Sequence, residues 1–108
     1  MTRYRGPRLV ERFVDVNPDE YPGFTFSGAM APVQATRIAR FIERFAKHPK
    51  PWAVLVHCAR GVSRSGAVAE WVFERYRPMP GDEYERLHPH ILPNPYVMRL
   101  LREAAEPP

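Results

Sequence analysis

Residues 52–56, Trp-Ala-Val-Leu-Val, form an unbroken apolar run between Pro51 and the stretch HCARGVSRS (57–65), which holds the only cysteine of the chain. No other feature restricts the possible folds as much. A short apolar run without alternation is the pattern of a strand buried on both faces, and such strands belong to parallel sheets covered by helices. The run passes through a tight, glycine-containing loop into residues 65–76, SGAVAEWVFERY. Val68, Ala69, Trp71, Val72 and Phe73 leave that segment little polar face, so it reads as a central helix.

The rest of the chain fits around this unit. Residues 8–16, RLVERFVDV, are rich in strand formers and closed by Asn17 and Pro18, which predicts a strand ending near Asp15. Residues 17–30 hold two prolines, two glycines and the aromatics Tyr21, Phe24 and Phe26 without periodicity, which predicts a long loop. Pro32 suits the first turn of a helix whose apolar positions Ala31, Ala35, Ile38, Ile42 and Phe45 recur every three or four residues, with Arg37, Arg40, Glu43 and Arg44 outside the stripe. Residues 77–94 are proline-punctuated loop. Asn94 then caps a last helix with Pro95 at its first position and Val97, Leu100, Leu101 and Ala104 on its buried side. The expected fold is α/β: a single domain over 1–108 with a small, mostly parallel central sheet flanked by helices.

Composition narrows the function classes. A lone cysteine makes no internal disulfide, and no apolar run has the length of a membrane span or a signal-peptide core. The expectation is a cytoplasmic protein with no membrane partner. Sixteen Lys and Arg against twelve Asp and Glu give a formal charge of +4, nearly all of the cations being arginine. That balance favours an anionic partner without choosing among phosphate, carboxylate and nucleic acid. His48, His88 and His90 lack metal-ligand spacing and read as loop histidines, so no metal and no cofactor is expected.

In an open α/β sheet, ligands bind where strands end and loops lead into helices. HCARGVSRS lies at such a point. A loop from Cys58 to Arg64 that turns its backbone N–H groups inward at a helix amino terminus makes a cradle for a phosphate-sized anion. Its residues are Ala59, Arg60, Gly61, Val62, Ser63 and Arg64; Gly61 gives the backbone freedom, and the Arg64 fork can hold two phosphate oxygens. The same field favours a thiolate at Cys58, below the free-thiol pKa of about 8.5.

His57, Cys58, Gly61, Arg64 and Ser65 resemble the signature of the cysteine-dependent phosphatases, in which cysteine and arginine are separated by five residues, and the Gly-Val-Ser-Arg-Ser run resembles the dual-specificity branch. Ile91, Pro93, Asn94, Met98 and Leu101 resemble the Ile-Ser-Pro-Asn segment that opens the last helix of that branch, so the resemblance runs over roughly residues 10–105. It implies a metal-independent phosphomonoester hydrolase acting on phosphotyrosine, and by extension on phosphoserine and phosphothreonine in protein. Cys58 would be the nucleophile that forms a phosphocysteine, Arg64 and the loop amides would hold the phosphate, and Ser65 would hydrogen-bond the thiolate. His57 would brace the loop, and Asn94 would support it.

A general acid is also required, since an alkoxide leaves poorly without a proton. In the family it is an aspartate on an upstream loop. Asp15 fits best because it closes the Val-Asp-Val run; Asp19 and Glu20 are the alternatives. The stretch from Asp15 to Cys58 is longer than is usual in that family, and only fourteen residues precede Asp15, as in a minimal or shortened member. Two further readings keep the site and change the role: the same chemistry on a polyanion such as an RNA 5′ phosphate or an inositol phosphate, helped by Arg60, or a phosphate-binding module with weak catalysis. Nucleic acid is the less favoured partner.

Overall fold

A computed structural model describes residues 7–47, 56, 58, 63–76, 86, 88–89 and 91–105. These residues form three helices: α1 (Pro32–Ala46), α2 (Arg64–Tyr76) and α3 (Pro95–Ala105), with a 3-10 turn at Pro18–Glu20 ahead of them. α3 packs against both α1 and α2.

Each helix starts as its sequence requires. At α1, Pro32 occupies the first turn, and the Gln34 side chain accepts a hydrogen bond from the Ala31 N–H at 2.9 Å, which satisfies a donor the helix leaves unpaired. Ala31 has no side-chain acceptor, so only this half of a capping box forms. At α3, Asn94 Oδ1 accepts from the N–H groups of Tyr96 (2.9 Å) and Val97 (3.3 Å). Ser63 O receives the Ala67 N–H at 2.9 Å and so opens α2.

The buried apolar set runs through all three helices. α1 contributes Ala35, Ile38, Ala39 and Ile42, α2 contributes Ala67, Val68 and Trp71, and α3 contributes Val97, Met98, Leu100 and Leu101, with Met30 sealing one end. The α1 and α3 positions follow the three-and-four spacing of an amphipathic stripe. Gly66 lets the chain at residues 91–93 approach α2 closely, since a Cβ there would lie 2.6 Å from Ile91 Cγ2.

The expected α/β architecture is corrected: the protein is a small helical one, with no sheet among the described residues. Their one β pairing is an isolated parallel bridge between Val14 and Ala29. The reason is visible in the 8–16 segment. Leu9 and Phe13 do turn inward and pack on the core while Val10 and Val14 are 65% and 50% exposed, the alternation of a strand. Its carbonyls, however, bond to side chains. Gln34 Nε2 donates to Arg12 O at 3.0 Å, and Arg64 Nη1 donates to Phe13 O at 2.9 Å, so helices take the acceptors that a neighbouring strand would use. Of the expected buried strand 52–56, residues 52–55 lie outside the described residues; Val56 is half-buried against the core. No helix among the described residues is long and apolar enough to cross a membrane.

Candidate active site

The amino end of α2 holds the cysteine. Cys58 is half-buried, its Sγ lies 3.2 Å from Ser65 Oγ, and the Ser65 backbone N–H donates to the sulfur at 3.4 Å. Ser65 is buried, so both groups meet the sulfur away from bulk water. A thiol can donate to Oγ; in the thiolate the hydroxyl turns to donate instead, giving the anion two hydrogen bonds at the positive end of a helix dipole. The cysteine and serine expected to act as nucleophile and stabiliser are thus in contact.

Arg64 begins α2 and reaches across to the 8–16 segment through the bond to Phe13 O, which fixes its guanidinium at the junction of the two. Its Nε is buried and has no hydrogen-bond partner among the described residues. A buried charged donor without a partner is costly, and an anion beside it would remove that cost.

Ser63, the other end of the loop, organises the upstream carboxylate. Its Oγ donates to Asp15 Oδ1 at 2.9 Å, across 48 residues of sequence, and Asn94 Nδ2 donates to the same oxygen at 2.8 Å. Asn94 Nδ2 also reaches Val16 O at 3.0 Å, and the Asn94 N–H donates to Ser63 O at 3.2 Å. Asn94 is buried and therefore ties together the α2 start, the α3 start and the Asp15 segment. Both donors are on Oδ1, and among the described residues none donates to Oδ2 of Asp15.

The two alternative carboxylates are engaged elsewhere. Asp19 pairs with Arg99 through both oxygens, at 2.7 Å from Nε and 3.0 Å from Nη2. Glu20 Oε1 accepts from Asn17 Nδ2 at 3.2 Å, a local bond within the 3-10 turn. Of the three, only Asp15 bonds to a described residue of the 57–65 stretch. His57, Ala59, Arg60, Gly61 and Val62 lie outside the described residues, as do His48 and His90. Phe24 is 69% exposed and stacks on Phe26 at 5.2 Å, with Tyr21 5.8 Å from Phe26, so these rings form their own cluster in the 17–30 loop.

Four residues that place the Asp15 segment were not foreseen. Phe13 acts through its carbonyl, which no side-chain pattern marks. Gln34 fastens α1 to the Asp15 segment, and Glu11 adds to this with its carboxylate 3.6 Å from Arg37 Nε. Arg99 is the fourth, and it pairs with Asp19 across 80 residues of sequence. No family model, no curated protein and no solved structure matches the chain.

Proposed function

We propose that the protein is a cysteine-dependent phosphomonoester hydrolase acting on phosphoproteins, phosphotyrosine first and phosphoserine or phosphothreonine second. The observation that carries this reading is the contact of Cys58 Sγ with the Ser65 N–H and hydroxyl at the start of α2. The Asp15 carboxyl, hydrogen-bonded to Ser63 of the same stretch, supports it. What is carried over is the chemistry of the signature and not a sheet.

In the first step the Cys58 thiolate attacks phosphorus, the S–P bond forms as the P–O bond to the alcohol breaks, and Asp15 gives its proton to the departing oxygen. Arg64 faces the equatorial oxygens as charge builds on them. In the second step water attacks phosphorus, Asp15 takes its proton, and the S–P bond breaks to release inorganic phosphate and the thiolate. Ser65 eases that release by hydrogen-bonding the sulfur as it regains charge. A thiolate nucleophile of this kind requires a reducing compartment, in keeping with a cytoplasmic location.

The test is hydrolysis of a chromogenic aryl phosphate in the presence of a metal chelator. Wild type turns over, Cys58→Ser does not, and acid quench of the wild type during turnover captures phosphate bound to Cys58. Full activity in Cys58→Ser overturns the reading. Activity on an RNA 5′ phosphate that exceeds activity on phosphopeptides and falls steeply with added salt would move the substrate to a polyanion.

A further inference from the structure

The segment that carries Asp15 is fastened to α3 at three points. Asn94 holds Asp15 and Val16, the Tyr96 hydroxyl donates to Met30 O at 2.8 Å at the far end of the loop, and Arg99 grips Asp19 between them. Arg99 uses its whole fork: Nε and Nη2 on the two oxygens of Asp19, and Nη1 on Glu103 Oε1 at 2.8 Å, while its guanidinium carbon lies 5.4 Å over the Tyr96 ring. Glu103 and Tyr96 thereby hold the arginine on the helix, and the arginine holds Asp19.

The three residues between Asp15 and Asp19, Val16, Asn17 and Pro18, form a stiff link. Pro18 fixes one dihedral angle, Asn17 Oδ1 accepts from the Asp19 N–H at 3.2 Å, and the N–H groups of Glu20 and Tyr21 return to Asn17 O and Pro18 O at 3.2 and 3.1 Å. A shift of Asp19 therefore moves Asp15 rather than being absorbed between them. We infer that Arg99 is a positioning residue for proton transfer, anchoring Asp19 to α3 and thereby holding the Asp15 carboxyl in register with the cysteine. This rests on the reading of Asp15 as the proton donor.

An ion pair this exposed adds little to stability. Reaction rates respond more strongly to placement, because a misplacement of about 1 Å can cost on the order of 100-fold. Hydrogen bonds to Asp19 and then to Glu103 raise the Arg99 pKa further above its ordinary value, so the cation persists at any working pH and ionic strength is the lever.

The experiment compares an alkyl phosphate, whose leaving oxygen needs the proton, with an aryl phosphate of low leaving-group pKa, which needs it less. Arg99→Ala and Asp19→Asn are each expected to lower kcat on the alkyl substrate on the order of 10-fold, to leave the aryl rate within about 2-fold and to leave the melting temperature close to wild type. Combining them should add no further loss, and the charge swap Asp19→Arg with Arg99→Asp should restore part of the alkyl rate. Added salt should lower the alkyl-to-aryl ratio of the wild type but not that of Arg99→Ala. Equal losses on both substrates, or an unchanged ratio, overturn the proposal. Asp15→Asn is the control: a normal alkyl rate there removes Asp15 as the acid, whereas an active Cys58→Ser removes the phosphatase reading itself.

Discussion

The helical half of the molecule and the Asp15 segment are held by different forces. α1, α2 and α3 meet through wholly buried side chains such as Trp71, Val97 and Leu101, and their stability comes from apolar surface removed from water. The segment from Pro7 to Ala31 buries one large side chain completely, Met30, rests Leu9 and Phe13 part-buried on the core, and is further placed by long-range polar bonds to Gln34, Ser63, Arg64, Asn94, Tyr96 and Arg99. Apolar burial is tolerant of direction, while a hydrogen bond weakens steeply once its angle or length departs from the optimum. The first therefore sets whether the chain folds, and the second sets where one carboxyl points. Damage to the two regions should be read out by different instruments, calorimetry for one and substrate selectivity for the other.

The sharpest way to break that contrast is in the core. Leu101→Ala removes a fully buried side chain from the helix that touches both others, and chemical denaturation should register a loss of about 2–5 kcal/mol. The alkyl-to-aryl ratio of whatever remains folded should be unchanged, and a changed ratio would show that the two regions are not separable. Gly66→Ala is next. The new methyl collides with Ile91 Cγ2, pushing residues 91–93 off α2 at a cost of about 1–3 kcal/mol. Because Asn94 follows directly, this variant should lose stability and selectivity together, joining the two regions where the contrast otherwise parts them.

Asn94→Asp sharpens the comparison most. Aspartate keeps the acceptor that caps α3, but it buries a second carboxylate against Asp15 and leaves Val16 O without its donor, so denaturation should show a loss of about 1–3 kcal/mol. It loses the donor to Asp15 and sets a second carboxylate against it, so alkyl phosphate turnover should fall while aryl turnover persists. A uniform fall on both substrates would mean that Asn94 serves the fold alone.

The helices were legible because their signals are local. The spacing of Ala35, Ile38 and Ile42, the first-turn proline at 32, and the Asn94-Pro95 pair each specify backbone geometry within a few residues. The strand at 8–16 was misread because alternation reports which side chains face inward and says nothing about what bonds the backbone. Gln34 and Arg64 answered that question from elsewhere in the chain. The contact of Cys58 with Ser65 was expected from the resemblance and not from spacing or periodicity. The choice of Asp15 over Asp19 rested on its place at the end of an expected strand, which is absent among the described residues; what distinguishes the two carboxylates is that one bonds to Ser63 and the other to Arg99. The Asp19 pairing spans 80 residues, and nothing in the order of residues announces it.

The carbonyl oxygen of Ser63 accepts from both Ala67 and Asn94, which brings the starting points of α2 and α3 to a single atom. Each helix carries about half a positive elementary charge at that end. Two such ends side by side make a standing positive potential next to the cysteine that owes nothing to any titrating group. Substitution of surface arginines and changes of pH leave it in place, since it is written in the direction of the peptide bonds. Only reversing or unwinding a helix would remove it.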